Sequence, residues 1–455
     1  MHGTFELVTR PGNPDFIDLP WHLPLRAWRD SGLGMRLVDV ARGLSRHVVR
    51  FVDYGDSPGF GGNGHEVFAL KELPLDIAAR EYQLLRELAD RRLPVVEAVG
   101  VVSGRTDSDG EELESILITR HLQFSLPYRQ LFMGRGISEL QNRFLDAMAI
   151  LLVRLHSEGF FWGDCSLSNT LFRRDAGALT AYLVDAETGG LRETLSTGQR
   201  EHDLMLAHDN VGGELMDLAA GGRTKEDFDP LYIVEDLRRR YDRLWAELHS
   251  AELVEPGNRV AIARRMQRLN TLGFDVEEFS VTTISKEGEN RWKVLPKVVE
   301  SGHHQKRLLQ VTGIEADENQ ARRLLNDWSA YRVWREANEG RKLPDAMSAY
   351  LWLTEVYEPT IAAIPQDLRS RLADAEIYHQ ILEHRWFLSE NAGHDVGTEA
   401  ALDDYVANVL ANADDEEMVL VPPEDPTMID GLLVMDADEQ LSVSDGFAPG
   451  DEVVL

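Results

Sequence analysis

The sequence contains little cysteine, no long apolar run and, beyond Arg385, no basic residue. Its one cysteine, Cys165, excludes an intrachain disulfide framework and suits a reducing compartment. The longest apolar run, AMAILLV at 147–153, is far shorter than the roughly 20 residues that a membrane-spanning helix requires. The first residues lack the charged start and apolar core of a signal peptide. We therefore expect a cytoplasmic protein without a membrane span.

Basic residues are also scarce overall, since 47 Lys and Arg face 78 Asp and Glu, which gives a net charge of −31. A surface of this sign repels a phosphate backbone, so nucleic acid is not an expected partner. Acidic runs such as NADDEE (412–417) concentrate charge near the C-terminal end. We interpret residues 395–455 as an acidic, flexible tail, which either solubilises the protein or docks on a basic partner.

The length of 455 residues exceeds what one ordinary core accommodates, so several domains are expected. Alternating apolar residues predict strands around one helix at the start, whereas helical periodicity dominates later. The pattern favours an α+β protein. Its predicted parts are an N-terminal arm (1–35), a strand-rich part (36–122), a helical part (123–277), a further mostly α-helical domain (278–394) and the tail.

Two charged residues occupy positions where a charge is costly unless it is paired. Lys71 interrupts the apolar strand EVFALKEL, and Glu81 falls on the apolar stripe of a helix that we expect Asp76 to cap. A carboxylate on a buried helix face requires a positive partner. We therefore predict an ion pair between Lys71 and Glu81.

A second set of polar residues has a telling spacing. In WGDCSLSN, Asn169 follows Asp164 by five positions, and Asp185 ends the apolar strand AYLVD. Phosphoryl transfer requires a metal, a cation that holds the phosphates and a carboxylate that orients the attacking hydroxyl. Protein kinases supply them with a strand Lys, a helix Glu, an Asp, an Asn five residues later and a second Asp.

These motifs resemble the catalytic and metal-binding segments of the protein-kinase-like fold, over about residues 36–190. The likeness is greatest to small-molecule and atypical branches, such as aminoglycoside phosphotransferases and lipopolysaccharide kinases, which also place Gly before the catalytic Asp. The whole chain resembles a bacterial family that joins a lipopolysaccharide-kinase-like region to a C-terminal domain of unknown function. The resemblance implies a bilobal kinase-like fold, with an N-lobe at 36–122, a helical C-lobe at 123–277 and an added α-helical domain.

The resemblance also implies an ATP- and Mg²⁺-dependent phosphotransferase that moves the γ-phosphoryl group to a hydroxyl of a small molecule, sugar or protein. Lys71, held by Glu81, would contact the α- and β-phosphates. Asp164 would orient or deprotonate the acceptor, and Asn169 and Asp185 would ligate Mg²⁺. Further nucleotide contacts are expected from the phosphate loop 42–46 and from the hinge, at Gly43, Ser45, Thr119, Arg120, His121 and Leu122.

The sequence leaves two alternatives open, because the glycine-rich phosphate loop is missing: ARGLSRH offers Gly43 alone. One alternative is a nucleotide-binding pseudokinase or adaptor without turnover. The other is nucleotidyl transfer, with which the arginines of this loop are compatible. Nearby, we interpret His156 as structural rather than as a base. Asp203 and Asp209 are candidates both for the acceptor side and for helix capping.

Overall fold

The computed structural model describes residues 4–31, 37–38, 47–54, 66–128, 132, 137–222, 224, 228–255, 259–271, 274, 276–286, 289–298, 302–369, 371–413, 428–429 and 432–433. The predicted phosphate loop at 42–46, with Gly43 and Ser45, lies outside them. Their strands are β1 (Glu6–Thr9), β2 (Leu37–Val38), β3 (Val49–Asp53), β4 (Val67–Leu73), β5 (Ala98–Ser103), β6 (Ser115–Arg120), β7 (Ser125–Pro127), β8 (Phe160–Phe161), β9 (Thr170–Asp175), β10 (Ala178–Leu183), β11 (Gly190–Leu191), β12 (Glu252–Val254), β13 (Val276–Lys286), β14 (Glu289–Val298), β15 (Met428–Ile429) and β16 (Leu432–Leu433).

The α-helices of these described ranges are α1 (Leu75–Asp90), α2 (Ile137–Ser157), α3 (Thr197–Ala220), α4 (Pro230–His249), α5 (Arg259–Thr271), α6 (His303–Thr312), α7 (Glu318–Glu339), α8 (Asp345–Trp352), α9 (Glu358–Ala362), α10 (Gln366–Arg369), α11 (Asp374–Ala392) and α12 (Thr398–Asn408). A 3₁₀ helix spans Leu25–Ser31, a second spans Leu410–Asn412, and a π-helical segment, Leu353–Tyr357, continues α8 into α9. None of the helices in this part of the chain combines the length and hydropathy that crossing a bilayer requires.

An antiparallel sheet dominates the first lobe, with the strand order β1-β5-β6-β4-β3-β2 among the described residues. Helix α1 packs against β5 and β6 and buries Leu85 and Leu88. Asp76 does not cap this helix, contrary to the sequence prediction: Pro74 is the N-cap residue, and Asp76 lies in the first turn. A carboxylate there still favours the positive end of the helix dipole.

The N-terminal arm is more regular than the sequence indicates, because β1 pairs with β5 at the sheet edge. Phe16, Trp21 and Trp28 are buried against the outer face of the sheet. Arg105, fully buried, donates to the Trp21 carbonyl at 3.0 Å, to the Leu23 carbonyl and to the Glu72 carboxylate at 2.8 Å. These bonds fasten the arm to the first lobe.

In the helical lobe, α2 packs against β10 of the hairpin formed by β9 and β10, and α4 packs against both α2 and α3. Gly159 closes α2 with a φ of +79°, and a Cβ at that position would lie 2.1 Å from the Arg192 carbonyl oxygen. The hairpin turns through Ala176 and Gly177, whose φ values of 50° and 82° match the right-handed twist of the flanking strands. This turn contacts the C-terminal helices, since the backbone N–H of Ala176 donates to Glu376.

The C-terminal helices have a hydrophobic core of their own, which extends from Leu308 to Leu410. The division into domains at 277/278 stays a prediction; that position falls within β13, whose sheet also includes β12. The predicted start of the tail at residue 395 is wrong in the structure. Helix α12 follows it, because Leu402 and Tyr405 recur at helical spacing and are buried in this core.

Replacing Arg105 by Met should lower the free energy of unfolding by about 3–5 kcal/mol, because the Glu72 carboxylate and three backbone carbonyls would lose their buried partner. Urea denaturation measures this. Arg10→Met is the matched control, since Arg10 pairs at the surface with Glu97 at 3.8 Å and should contribute less than about 1 kcal/mol. Equal losses for the two variants would contradict the anchoring role of Arg105.

Candidate active site

Lys71 lies among three carboxylates that come from both lobes. Its Nζ is 3.2 Å from Glu81 Oε2 on α1, so the two residues form the ion pair that the sequence predicts. The same Nζ is 2.5 Å from Asp185 Oδ2 and 3.1 Å from Glu187 Oε2, both in the segment after β10. Only 1% of the Glu81 side chain is exposed, and 13% of Lys71. One ammonium group thus connects the first lobe to the predicted metal segment.

Glu81 is held from two sides. While Oε2 accepts from Lys71, Oε1 accepts the backbone N–H of Ala186 at 3.2 Å. The Glu187 carboxylate also lies 3.0 Å from Nε2 of His47, which precedes β3. Glu187 and His47 are site residues that the sequence analysis missed, although Glu187 is only two positions after Asp185.

The charges at this position are unbalanced. Burial alone would lower the pKa of Lys71, but Glu81 and Asp185 more than offset it, so the pKa lies above its ordinary value. Burial, followed by repulsion from Asp185, raises the pKa of Glu81 to about 8, although Lys71 acts in the opposite direction. With all three carboxylates ionised, one ammonium group would leave two negative charges uncompensated. Such a cluster favours binding of a proton or of a cation.

Asp164 has both carboxylate oxygens engaged by amides. Asn169 Nδ2 donates to Oδ2 at 3.3 Å and to the Asp164 carbonyl at 3.0 Å, and Asn210 Nδ2 on α3 donates to Oδ1 at 3.0 Å. The structure therefore joins Asp164 to Asn169 as their spacing indicates. It adds Asn210, which the sequence analysis did not single out. These donors fix the plane of the carboxylate.

The segment around Asp164 is also anchored by Asp203 of α3, which is fully buried. Its carboxylate accepts the backbone N–H groups of Trp162 and Gly163, both at 2.7 Å, and lies 3.0 Å from His156 Nε2. His156 also contacts the Tyr241 hydroxyl at 2.7 Å, so it supports this anchor and does not face a substrate. The structural interpretation of His156 fits this geometry, and Asp203 holds the segment that leads to Asp164.

A single face of α3 supports this whole segment. Glu214 accepts the backbone N–H of Leu167 at 2.5 Å and that of Ser168 at 3.1 Å. Asp203, Asn210 and Glu214 are seven and four residues apart, which places them on one side of a helix. A polar stripe at this spacing, soon after the Asp185 motif, was the sequence signal that could have revealed Asn210 and Glu214.

Asn169 and Asp185 stand at the same end of the β9–β10 hairpin. Thr170 pairs with Leu183, and the next amide, of Val184, donates to the Asn169 carbonyl at 3.0 Å. Among the described residues, oxygens of Glu81, Asp185 and Glu187 lie within 4.8 Å of one another. Carboxylate and amide oxygens are the donors that Mg²⁺ prefers. The residues present therefore fit a magnesium ion.

The hinge residues have mainly structural contacts. Arg120 pairs with Glu66 at 2.8 Å and with Glu97 at 2.9 Å, and its guanidinium lies over the Phe68 ring. The backbone N–H of His121 donates to the Val67 carbonyl at 2.8 Å. These groups extend the sheet, so the nucleotide contacts expected of Thr119, Arg120, His121 and Leu122 stay predictions.

Residues 64–214 match the profile of the lipopolysaccharide kinase (Kdo/WaaP) family. The chain carries a lipopolysaccharide-kinase-family domain. This confirms the kinase-like resemblance and the α+β fold class, and identifies a kinase-like phosphotransferase. The matched segment contains the residues just described, Lys71, Glu81, Asp164, Asn169 and Asp185. Residues 243–410 match a domain of unknown function (DUF4032), which follows the lipopolysaccharide-kinase-family domain as expected.

Among solved structures, the chain is similar to one described as WaaP in complex with acyl carrier protein. The two share 16% sequence identity with a TM-score of 0.33, over 59% of this chain and 99% of that chain. A likeness at this TM-score bears on neither the function nor the partners of this protein. No curated protein matches the chain.

The raised pKa of Glu81 gives stability a defined pH dependence. The unfolded carboxyl titrates near 4.5 and the folded one near 8, so this contribution is complete below pH 4.5 and is lost as the pH rises through 8. Relative to Glu81→Gln, the metal-free protein should lose up to about 1.4 kcal/mol of unfolding free energy per pH unit in that range. Urea denaturation in EDTA at several pH values measures this loss.

Glu87→Gln is the matched control, because Glu87 lies on the same helix with 54% of its side chain exposed. It should leave the pH dependence of the wild-type protein unchanged. Parallel stability curves for the wild type and Glu81→Gln would contradict the predicted protonation of the buried carboxyl.

Proposed function

We propose that the protein is an ATP- and Mg²⁺-dependent phosphotransferase that transfers the γ-phosphoryl group to a hydroxyl acceptor, a small molecule, sugar or protein. The observation that carries the proposal is the position of Lys71, which contacts Glu81 of the first lobe and Asp185 of the second. Lys71, which would bind the phosphates, is thus next to Asp185, which would bind the metal. The lipopolysaccharide-kinase-family match supports the same chemistry.

Lys71 would bind the α- and β-phosphates, and its ion pair with Glu81 would keep the ammonium group directed into the cleft. Asp185 and Glu187 contact the same ammonium group of Lys71. Binding of the phosphates would therefore require Lys71 to exchange these carboxylates for phosphate oxygens. His47 already contacts Glu187 at 3.0 Å and could retain it during that exchange.

Asn169 and Asp185 would hold Mg²⁺, and Glu187 is a third candidate ligand because its carboxylate belongs to the same cluster. Bound there, the cation would neutralise charge on the phosphates. The excess negative charge around Lys71 supports this assignment, since a divalent cation would compensate it better than a single proton on Glu81 does.

Asp164 would orient the acceptor hydroxyl or accept its proton. The amides of Asn169 and Asn210 hold the carboxylate, while Asp203 and Glu214 hold the backbone around it. This fixed orientation matters because catalysis by positioning is sensitive to displacements of about 1 Å.

Asp164→Ala should lower phosphate transfer by about 10²–10⁴-fold, the usual contribution of a positioned proton acceptor, while Mg·ATP still binds. Asp185→Asn should weaken the dependence on Mg²⁺ and lower turnover to a similar extent. The measurements are transfer of labelled γ-phosphate to a panel of hydroxyl compounds, slow ATP hydrolysis and calorimetric titration. Asp367→Asn, an exposed residue of α10, is the matched control.

The products distinguish the alternatives that the sequence leaves open. Binding of Mg·ATP without any product would favour the adaptor, and a gain of a nucleotidyl group would favour nucleotidyl transfer. Turnover that is unchanged in both Asp164→Ala and Asp185→Asn would refute the proposed function.

A further inference from the structure

The lipopolysaccharide-kinase-family domain and the C-terminal helices meet through charged groups. No buried hydrophobic residue in the described part of the chain belongs to the cores of both. A cavity of about 630 Å³ lies between α2, β10 and α6, so apolar packing does not fill this junction. The contacts that do cross it converge on the β9–β10 hairpin and on the first turn of α7. They are hydrogen bonds and ion pairs whose geometry is specific.

The first turn of α7 receives its capping carboxylate from the hairpin. Asp175, at the end of β9, accepts the backbone N–H of Gln320 at 2.8 Å and that of Asn319 at 3.2 Å. It also accepts from Asn319 Nδ2 at 2.9 Å and from the Thr180 hydroxyl across the hairpin at 3.0 Å. These backbone amides are the ones that a helix's own N-cap side chain usually satisfies.

The N-cap residue of α7, Asp317, in turn directs its carboxylate to the hairpin. Arg173 on β9 donates to it twice, from Nε at 2.6 Å and from Nη2 at 2.9 Å, in a bidentate pair. The hydroxyl of Tyr182 on β10 donates to the same carboxylate. The side chain of Asp317 is 1% exposed, so this carboxylate is withdrawn from water. The hairpin thus supplies the Asp175 carboxylate to α7, and the N-cap of α7 supplies the Asp317 carboxylate to the hairpin.

A third carboxylate secures the turn of the hairpin. Glu376 on α11 accepts the backbone N–H of Ala176 at 2.9 Å and the side chain of Gln320 at 2.8 Å. Gln320 also donates to the Arg174 carbonyl at 2.9 Å. Two C-terminal helices therefore hold both strands and the turn. The opposite end of this hairpin leads to Asn169 and Asp185.

We propose that the C-terminal helices position the metal-binding residues, with Asp317 and Asp175 as positioning residues that fix the hairpin carrying Asn169 and Asp185. For its catalytic consequence the inference rests on the proposed function. At its active-site end the hairpin is held by backbone bonds of Leu183 and Val184, by side-chain bonds of Asn169 and Thr170, and by the contacts of Asp185. The C-terminal helices hold the other end, so loosening of the turn would act on the two ligands through both strands.

The test compares Asp317→Asn with Asp327→Asn in the full-length protein. The first variant removes the charge that Arg173 and Tyr182 share, whereas Asp327 accepts from Trp352 and Tyr378, each at 2.8 Å, inside the C-terminal core. Asp317→Asn should accelerate hydrogen exchange of the amides in β9 and β10 roughly tenfold, because a hydrogen bond to a charged group is lost. Asp327→Asn should leave exchange in the hairpin unchanged.

A second readout separates positioning from stability. In Asp317→Asn, the Mg²⁺ concentration for half-maximal turnover should rise roughly tenfold while turnover at saturating Mg²⁺ changes little, as expected when the surroundings of a metal ligand are loosened. Arg173→Lys, which keeps the charge but loses the bidentate geometry, should show a smaller shift in the same direction. It also replaces Asp317→Asn should that variant not fold.

Equal exchange in β9 and β10 for Asp317→Asn and Asp327→Asn would overturn the inference, whether or not the protein binds nucleotide. An unchanged Mg²⁺ requirement in an active Asp317→Asn protein would also overturn it. If the wild-type protein neither binds nor turns over Mg·ATP, the proposed function fails. Faster exchange in the hairpin of Asp317→Asn would then still support the structural part of the inference.

Discussion

The attraction between the Lys71 ammonium group and three surrounding carboxylates determines how the lobes of this protein meet. Glu81 contributes from a helix, and Asp185 and Glu187 from the segment after a hairpin, so the contact forms only when sheet, helix and hairpin are all in register. Because the carboxylates repel one another, the arrangement persists only while a cation stands between them. Here that cation is the ammonium group of Lys71. Three carboxylates around one ammonium group also leave an excess of negative charge at this position.

A second constraint acts on the segment that carries Asp164. Functional side chains on loops are useful only when a rigid element holds the loop, and here α3 does so with Asp203, Asn210 and Glu214 on one face. The two carboxylates among them, Asp203 and Glu214, accept backbone N–H groups and so fix the path of the chain on both sides of Asp164. The buried His156 and Tyr241 hold Asp203 in turn. The support is therefore continuous from the helical core to Asp164.

The sequence predicts the parts of this site whose residues are conspicuous where they stand. Lys71 and Glu81 are charges on apolar stripes, and Asp164, Asn169 and Asp185 have a spacing that ordinary turns do not require. It does not predict the junction with the C-terminal helices, because Arg173 and Asp317 are 144 positions apart and each is ordinary in its own segment. Helix α12 is missed for another reason: its acidic composition hides a stripe of two apolar residues. Pairing across long separations and burial of short stripes depend on tertiary packing, which local patterns do not encode.

The separation of the two hydrophobic cores bears on how the protein responds to temperature. Pulling the C-terminal helices away from the hairpin would hydrate carboxylates and guanidinium groups while uncovering little apolar surface. Since the heat capacity of unfolding follows apolar exposure, this opening would have a small heat capacity change, unlike the melting of either core. Opened molecules would also present no large adhesive surface to one another. The two halves could part and rejoin repeatedly without the aggregation that usually follows when a core is breached.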